Sequence, residues 1–464
     1  MRLALSLTCA AATTLAGTIA AQDSLVFCMD GDEVTLDNAS GLVEAGLIRQ
    51  DETAIVTPGP GAYSAAPFHT MNLQWGYLGD ADGDGRVCDS SSGGPGDDTD
   101  AVFVKRFPAS PAGSVTPREV FLSKEGNAGF DTSTFEDGDV FRYASQGALE
   151  VFVTEAMLLD AIGAPTGDVD VDAICQTDQG DLFLSFADTE TLPGGSSEDG
   201  DIIFIPASAI TYDASFNVSA IASGTAEVVL TEDDVIAFTA NSLMLTSVGG
   251  TPSTSIDTTA LELDPAGGTF TSPTTLGTYP NIWFAWSGFS NDGAVLSTAG
   301  GGSLASLNGA LLASDVATTG AQLGLTPDST GLGGLMGMAL VPGGSNPLTV
   351  ENHPTSLITS STILWSRQEV SGATPGSPVV FFTTLGAAGA GVVPPAIGLP
   401  GFGGVVYGNL TPYLLGTVNA DAGGYAGNVF TLPTVLVGSA AHLMMQAFDF
   451  AAFSFGEPAP IQFL

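Results

Sequence analysis

The residues best spaced for chemistry are Asp80-Ala81-Asp82-Gly83-Asp84-Gly85-Arg86-Val87. Oxygen ligands at loop positions 1, 3 and 5, with Gly at position 6, match the calcium loop of EF-hand and dockerin-type modules. Calcium requires several hard oxygens. Alternate aspartates aim them inward, and Gly85 permits the sharp bend. The metal set expected here is Asp80, Asp82, Asp84 and the backbone carbonyl of Arg86, with Ca2+ as the ion. Position 12 is Ser91 rather than a bidentate acid. The nearby Asp97-Asp98-Thr99-Asp100 offers carboxylates to close the shell. The plainer reading is an acidic hairpin turn that stays solvated.

A second acidic pattern occurs twice. Glu136-Asp137-Gly138-Asp139-Val140 returns as Glu198-Asp199-Gly200-Asp201-Ile202, and Phe121-Leu122-Ser123 ahead of it returns as Phe183-Leu184-Ser185. Both offsets are 62 residues (198 − 136 and 183 − 121). These acids mark either cation or polar-ligand loops on one face of a repeat, or simply good Asp-Gly turns. Asp168, Asp170 and Asp172 alternate, which on a strand points them one way, as an ion site or an exposed rim; the rim is the favoured reading.

Other chemistry finds no support. His69, His353 and His442 have no His or Cys partner at zinc-ligand spacing. There is no Gly-x-Ser-x-Gly elbow and no phosphate-binding Gly-x-x-x-x-Gly-Lys loop. With 50 acids, carboxylate pairs alone cannot identify a glycosidase. Trp283 and Trp286 could stack on sugar, but at a spacing of three along a strand they face opposite sides, which sends at least one into the core.

The elements that must position these residues are short strands. An apolar-hydroxyl pair recurs at Leu122-Ser123, Leu184-Ser185, Leu245-Thr246 and Leu296-Ser297, with a looser copy at Met71–Trp75. Second strands are expected at 101–104, 139–142, 201–205, 260–263 and 309–312. Third strands are expected at 149–153 and 226–230, and strands opening the next hairpin at 172–175 and 234–238. Residues 154–162 read as a loop helix. Four strands per 50–60 residues, about five times over, suits a β-propeller-like array, with a row of tandem β-sandwiches as the other possibility. The expected fold is therefore all-β. A signal peptide spans 1–21, an N-terminal segment 22–63 and the β-repeat, propeller-like domain 64–368. A small C-terminal β-sandwich domain spans 369–464.

Charge and export signals bound the function. The 464-residue chain holds 50 acids and 9 bases, with no Lys or Arg between Arg142 and Arg367 or after Arg367. Such a surface repels nucleic acid and anionic membranes, and its acids must be screened by cations. Arg2 followed by an apolar run to Gly17 and small residues before Gln22 reads as a secretory signal. Export permits a disulfide, for which Cys28–Cys88 is the expected pair, against the possibility of buried thiols. The 51 residues from 370 to 420 carry no charge, but Pro394, Pro395, Pro400 and many glycines argue against a membrane-spanning helix.

Two further stretches carry a family resemblance. Ser371-Gly-Ala-Thr-Pro-Gly-Ser-Pro-Val379 and Gly438-Ser-Ala-Ala-His-Leu-Met-Met-Gln-Ala-Phe448 resemble the C-terminal β domain of secreted planctomycete-type bacterial proteins. There a Gly-led strand ends in a Gln-Ala pair before a final strand. The pattern at 172–185 is similar to their repeat regions. The resemblance covers about the last 370 residues and implies export and a cell-surface or envelope role. It brings no catalytic residues. The expected function is a non-enzymatic, secreted or envelope structural or binding protein with calcium-stabilised acidic loops. Its expected partner is an extracellular or cell-surface ligand, a glycan among the candidates. An extracellular polysaccharide hydrolase is the competing reading.

Overall fold

The chain is all-β in a computed structural model. Its described residues run in segments from Ser24 to Phe463, nearly continuous over 136–235 and 257–287. Residues 1–23, 71–98, 109–119, 236–256 and 386–395 are among those outside the description. The signal segment, the Asp80–Arg86 loop, Cys88 and the copies at Met71–Trp75 and Leu245-Thr246 all fall there.

Near the start of the chain lie β1 (Ser24–Met29), β2 (Glu52–Val56) and β3 (Ala66–Thr70). A second group follows: β4 (Thr99–Val104), β5 (Val120–Lys124), β6 (Val140–Ser145) and β7 (Ala148–Val153). These four form one sheet in the order β7-β6-β5-β4. Helix α1 (Glu155–Ile162) leads into a third group. That group is β8 (Val171–Gln176), β9 (Leu182–Phe186), β10 (Ile202–Ile205) and β11 (Glu227–Leu230), paired in that order. The fourth is β12 (Asp257–Leu263), β13 (Ile282–Ser287), β14 (Leu296–Ser297) and β15 (Ser303–Leu304), again paired in order. Strand β16 (Leu335–Val341) pairs with β1, so the first sheet reads β16-β1-β2-β3. The strands of 22–63 thus share a sheet with strands far along the chain.

The sheets meet through their first strands. β4 packs against β8 and β16, and β12 packs against the same two. A strand covered on both faces should lack in-out alternation. Accordingly every residue of β8 is buried, as are the first five of β4. Phe103, Phe121 and Phe152 stack among themselves in a core that also draws Ile174, Leu184 and Ile203 from the next sheet. Phe183, Phe204 and Tyr279 serve the following interface, alongside Leu261 and Phe284. Trp283 is fully buried, as the strand spacing required of one of the two tryptophans.

Polar bonds tie the far ends of the same four strands. The Gln176 carboxamide oxygen accepts the N–H groups of Arg106 and Phe107, both at 2.9 Å. Buried Glu262 accepts the Arg106 guanidinium at 2.9 Å and the Leu340 N–H at 2.7 Å.

Three expectations are corrected here. Residues 101–104 and 260–263 are not second strands of a copy. They belong to β4 and β12, which open their sheets by pairing with β5 and β13. Leu296-Ser297 is not equivalent to Leu184-Ser185. Counted from the hairpin ends, Ser185 faces Ala173 where Ala285 faces Ala260, so β14 is a third strand. Residues 232–235 form a helical turn, in which the Thr231 side chain accepts the Asp234 N–H, so 234–235 are not strand; 236–238 of the expected strand lie outside the described residues. Helix α1 does form at the expected place, but inside the core. Leu158, Ala161 and Ile162 are buried, Thr154 caps its start, and Gly163, in the left-handed region at φ 78°, closes its end.

Toward the C-terminus are β17 (Thr349–His353), β18 (Leu357–Ile358), β19 (Trp365–Ser371), β20 (Pro378–Leu385), β21 (Tyr413–Asn419), β22 (Ala426–Thr431), β23 (His442–Asp449) and β24 (Ala459–Phe463). One sheet is β17-β19-β22; the other runs β18-β24-β23-β20-β21. A single core takes Val370 and Ala426 from the first, and Phe381, Met445 and Ile461 from the second. No helix among the described residues is long and apolar enough to cross a membrane.

The inner strands approach closely at Gly337 of β16. A Cβ there would lie 2.5 Å from the Val102 nitrogen and 3.0 Å from the Cys28 sulfur. Gly337→Ala is therefore expected to destabilise the protein by about 1–3 kcal/mol, as overpacking does. Denaturant unfolding measures this, and an unchanged midpoint would contradict the packing described.

Candidate acidic cation site

The site is built on the repeated turn. In the first copy the Asp139 N–H donates to the Glu136 carbonyl at 3.0 Å, and the Asp139 carboxylate accepts the Glu136 N–H at 3.4 Å. The other Asp139 oxygen accepts the Glu155 N–H at 2.9 Å. The second copy repeats each bond. Asp201 accepts the Glu198 N–H at 3.0 Å and the Glu232 N–H at 2.6 Å. Ser123 and Ser185, the serines of the repeated strands, donate to the carbonyls of Asp137 and Asp199 at 2.9 and 3.1 Å. The last aspartate of each Glu-Asp-Gly-Asp is thus a staple. It fastens the turn to the start of the following helical turn.

The staple frees the first aspartate for another role. Asp137, Glu155 and Asp168 place one carboxylate oxygen each within 4.8 Å of one another. Gly138 makes the approach possible, since a Cβ there would come 2.7 Å from the Glu155 Cγ and 2.3 Å from the Val169 carbonyl oxygen. Glu155 is the first residue of α1 and only 3% exposed; Asp137 is half-buried and Asp168 exposed. Buried Glu155 Oε2 and Asp137 Oδ1 have no hydrogen-bond donor. None of the ion pairs among the described residues reaches these acids. Arg142 and Lys105 serve Glu150, and Arg106 serves Glu262.

The electrostatics follow. Burial, then the charges of Glu136, Asp137 and Asp168, push the Glu155 carboxyl up to about 7, against a favourable bond from the Val169 N–H. Burial and then the Asp168 charge raise Asp137 as well. Buried carboxylates held together with unmatched oxygens are poised to take up positive charge. A donor set of carboxylates alone, without His or Cys, suits a hard divalent cation such as Ca2+ rather than zinc.

Sequence reasoning found Asp137 and Asp168 as members of separate patterns and missed Glu155. The alternating trio is divided by the fold because β8 begins only at Val171. Asp168 joins the cluster, while Asp172 is buried elsewhere. The missed signal was Val153-Thr-Glu155, matched by Leu230-Thr-Glu232. The expected ligands Asp80, Asp82, Asp84 and Arg86 lie outside the described residues. Of the expected disulfide, Cys28 is buried in β1 and Cys88 is not described, while Cys175 is a buried free thiol.

A cavity of about 370 Å³ lies at the other ends of the first strands, lined by Arg106, Asp178, Asp264 and Asn281, away from the cluster. Neither a family model nor a curated protein matches the chain.

The raised Glu155 carboxyl sets a pH dependence. Its folded pKa, about 7, exceeds the ordinary value of 4.5, so the folded state holds the proton more tightly. The stability this confers is complete below about 4.5 and is lost as pH rises toward 7. With screening at the exposed side of the cluster, the loss is on the order of 1–2 kcal/mol. Glu155→Gln should remove that portion of the slope in chelator. Unfolding curves from pH 4 to 8 for both proteins test this; parallel curves would refute the raised carboxyl.

Proposed function

We propose that the protein is a non-enzymatic β-repeat protein, secreted or held in the cell envelope, whose acidic loops are fastened by calcium. In this reading the four packed sheets are blades of a small propeller-like array, closed by the pairing of β1 with β16. The two C-terminal sheets make a β-sandwich. The resemblance to secreted planctomycete-type proteins agrees with this assignment. The partner is an extracellular or cell-surface ligand, a glycan among the candidates. The strongly acidic charge argues against nucleic acid.

One observation supports the reading above the others. Glu155 Oε2 is buried without a donor, and carboxylate oxygens of Asp137 and Asp168 lie within 4.8 Å of a Glu155 oxygen. A cation there would join the turn after β5, the start of α1 and the approach to β8. It would thereby connect two successive sheets. The Asp80–Arg86 loop is a second candidate on sequence grounds.

A polysaccharide hydrolase draws less from the geometry. Paired glycosidase carboxylates stand roughly 5–9 Å apart across a cleft. Here the oxygens lie within 4.8 Å and Glu155 is closed off from solvent.

Thermal unfolding in chelator, in millimolar calcium and in magnesium tests the proposal. Calcium at about 100 times its dissociation constant should stabilise the wild-type chain by about 2.7 kcal/mol. Glu155→Gln should cancel the contribution of this site, while Asp82→Ala should leave it. Magnesium should act more weakly, since it sheds water reluctantly. A full calcium response in Glu155→Gln would overturn the assignment.

A further inference from the structure

A second group of carboxylates lies deeper, at the beginnings of the first strands. Asp172 of β8 is only 4% exposed. Its carboxyl meets that of Asp257, the first residue of β12. Asp172 Oδ2 and Asp257 Oδ1 are both buried and have no hydrogen-bond donor. The charges of Asp100, on β4, and Asp170 act on Asp172, and those of Asp199 and Asp188 on Asp257. β4 and β12 both pack against β8, so acids from three successive sheets stand near the beginnings of these strands. No ion pair among the described residues serves Asp172 or Asp257.

The repeat explains the arrangement. Counted from the hairpin ends, Asp257 takes the place in β12 that Asp170 takes just before β8. Thr259 stands where β8 has Asp172, and its hydroxyl donates to the Leu335 carbonyl of β16 at 2.6 Å. One junction is closed by a neutral hydroxyl bond. Its neighbour, between β8 and β12, sets two acids face to face. Either one of the two keeps its proton and donates it to the other, or something positive lies between them.

We propose that Asp172 and Asp257 hold a second divalent cation, of the calcium class, at the junction of β8 and β12. The donors are again carboxylate oxygens alone. Burial favours one compact double charge over two mobile monovalent ions. This site shares no ligand with the Asp137, Glu155 and Asp168 cluster. It rests on the same general reading of acidic loops neutralised by cations, but the two sites can be separated by experiment.

The test is native mass spectrometry of calcium-loaded full-length protein carrying Asp82→Ala, which removes the loop candidate. Two calcium ions per chain are expected. Asp172→Asn should retain one, Glu155→Gln should retain one, and the combined variant none. If Asp172→Asn keeps two, the carboxyl pair holds only a shared proton and the proposal is overturned. If Glu155→Gln keeps two while Asp172→Asn keeps one, the outer cluster fails and the inner site stands. Should Asp172→Asn not fold by circular dichroism, Glu155→Gln decides alone: one retained calcium supports the inner site, and none overturns it.

Discussion

The constraint on which this structure depends is a shortage of positive charge. Fifty acids share nine bases, and the described cations are already committed. Arg142 bonds Glu150 at 2.7 Å, Arg106 bonds Glu262 at 2.9 Å, and Lys124 is buried against Thr99. Burying a carboxylate is expensive unless something stabilises its charge. Buried acids other than Glu262 must therefore find a solution that does not use a cationic side chain.

Backbone donors are the commonest solution. Asp139 and Asp201 each accept two N–H groups and fasten a turn to the following helical turn. Asp449 does the same in the C-terminal sheets, accepting the Thr374 and Ala451 N–H groups and the Ser377 hydroxyl. Glu262 combines Arg106 with the Leu263 and Leu340 N–H groups, and so ties together the ends of three first strands. Such acids are structural parts, and their bonding is complete. Glu155, Asp172 and Asp257 retain oxygens for which the chain offers no donor. That contrast, more than the number of acids, is what directs the cation reading to particular places.

Much of the framework was legible in the sequence. The repeated Glu-Asp-Gly-Asp turn and the Leu-Ser strands ahead of it are equivalent elements, linked by equivalent serine-to-carbonyl bonds. The all-β class followed from short apolar runs between turn residues. The frame of the repeat did not follow, because pairing partners decide which strand opens a sheet, and an apolar pair at 296–297 looks the same in either role. The site was hidden for a related reason. Thr154 follows Glu136 by 18 residues (154 − 136), whereas Thr231 follows Glu198 by 33 (231 − 198). A hairpin of Ile210–Tyr212 and Val218–Ile221 occupies the extra length and masks the equivalence of Glu155 and Glu232. Asp172 and Asp257 stand 85 residues apart (257 − 172), and only the packing of β8 on β12 unites them.

The most direct measurement is anomalous diffraction from crystals soaked in a lanthanide that substitutes for calcium. A strong peak is expected among the carboxylates of Asp137, Glu155 and Asp168. A map with full occupancy at other acidic loops and no density at that cluster would contradict it.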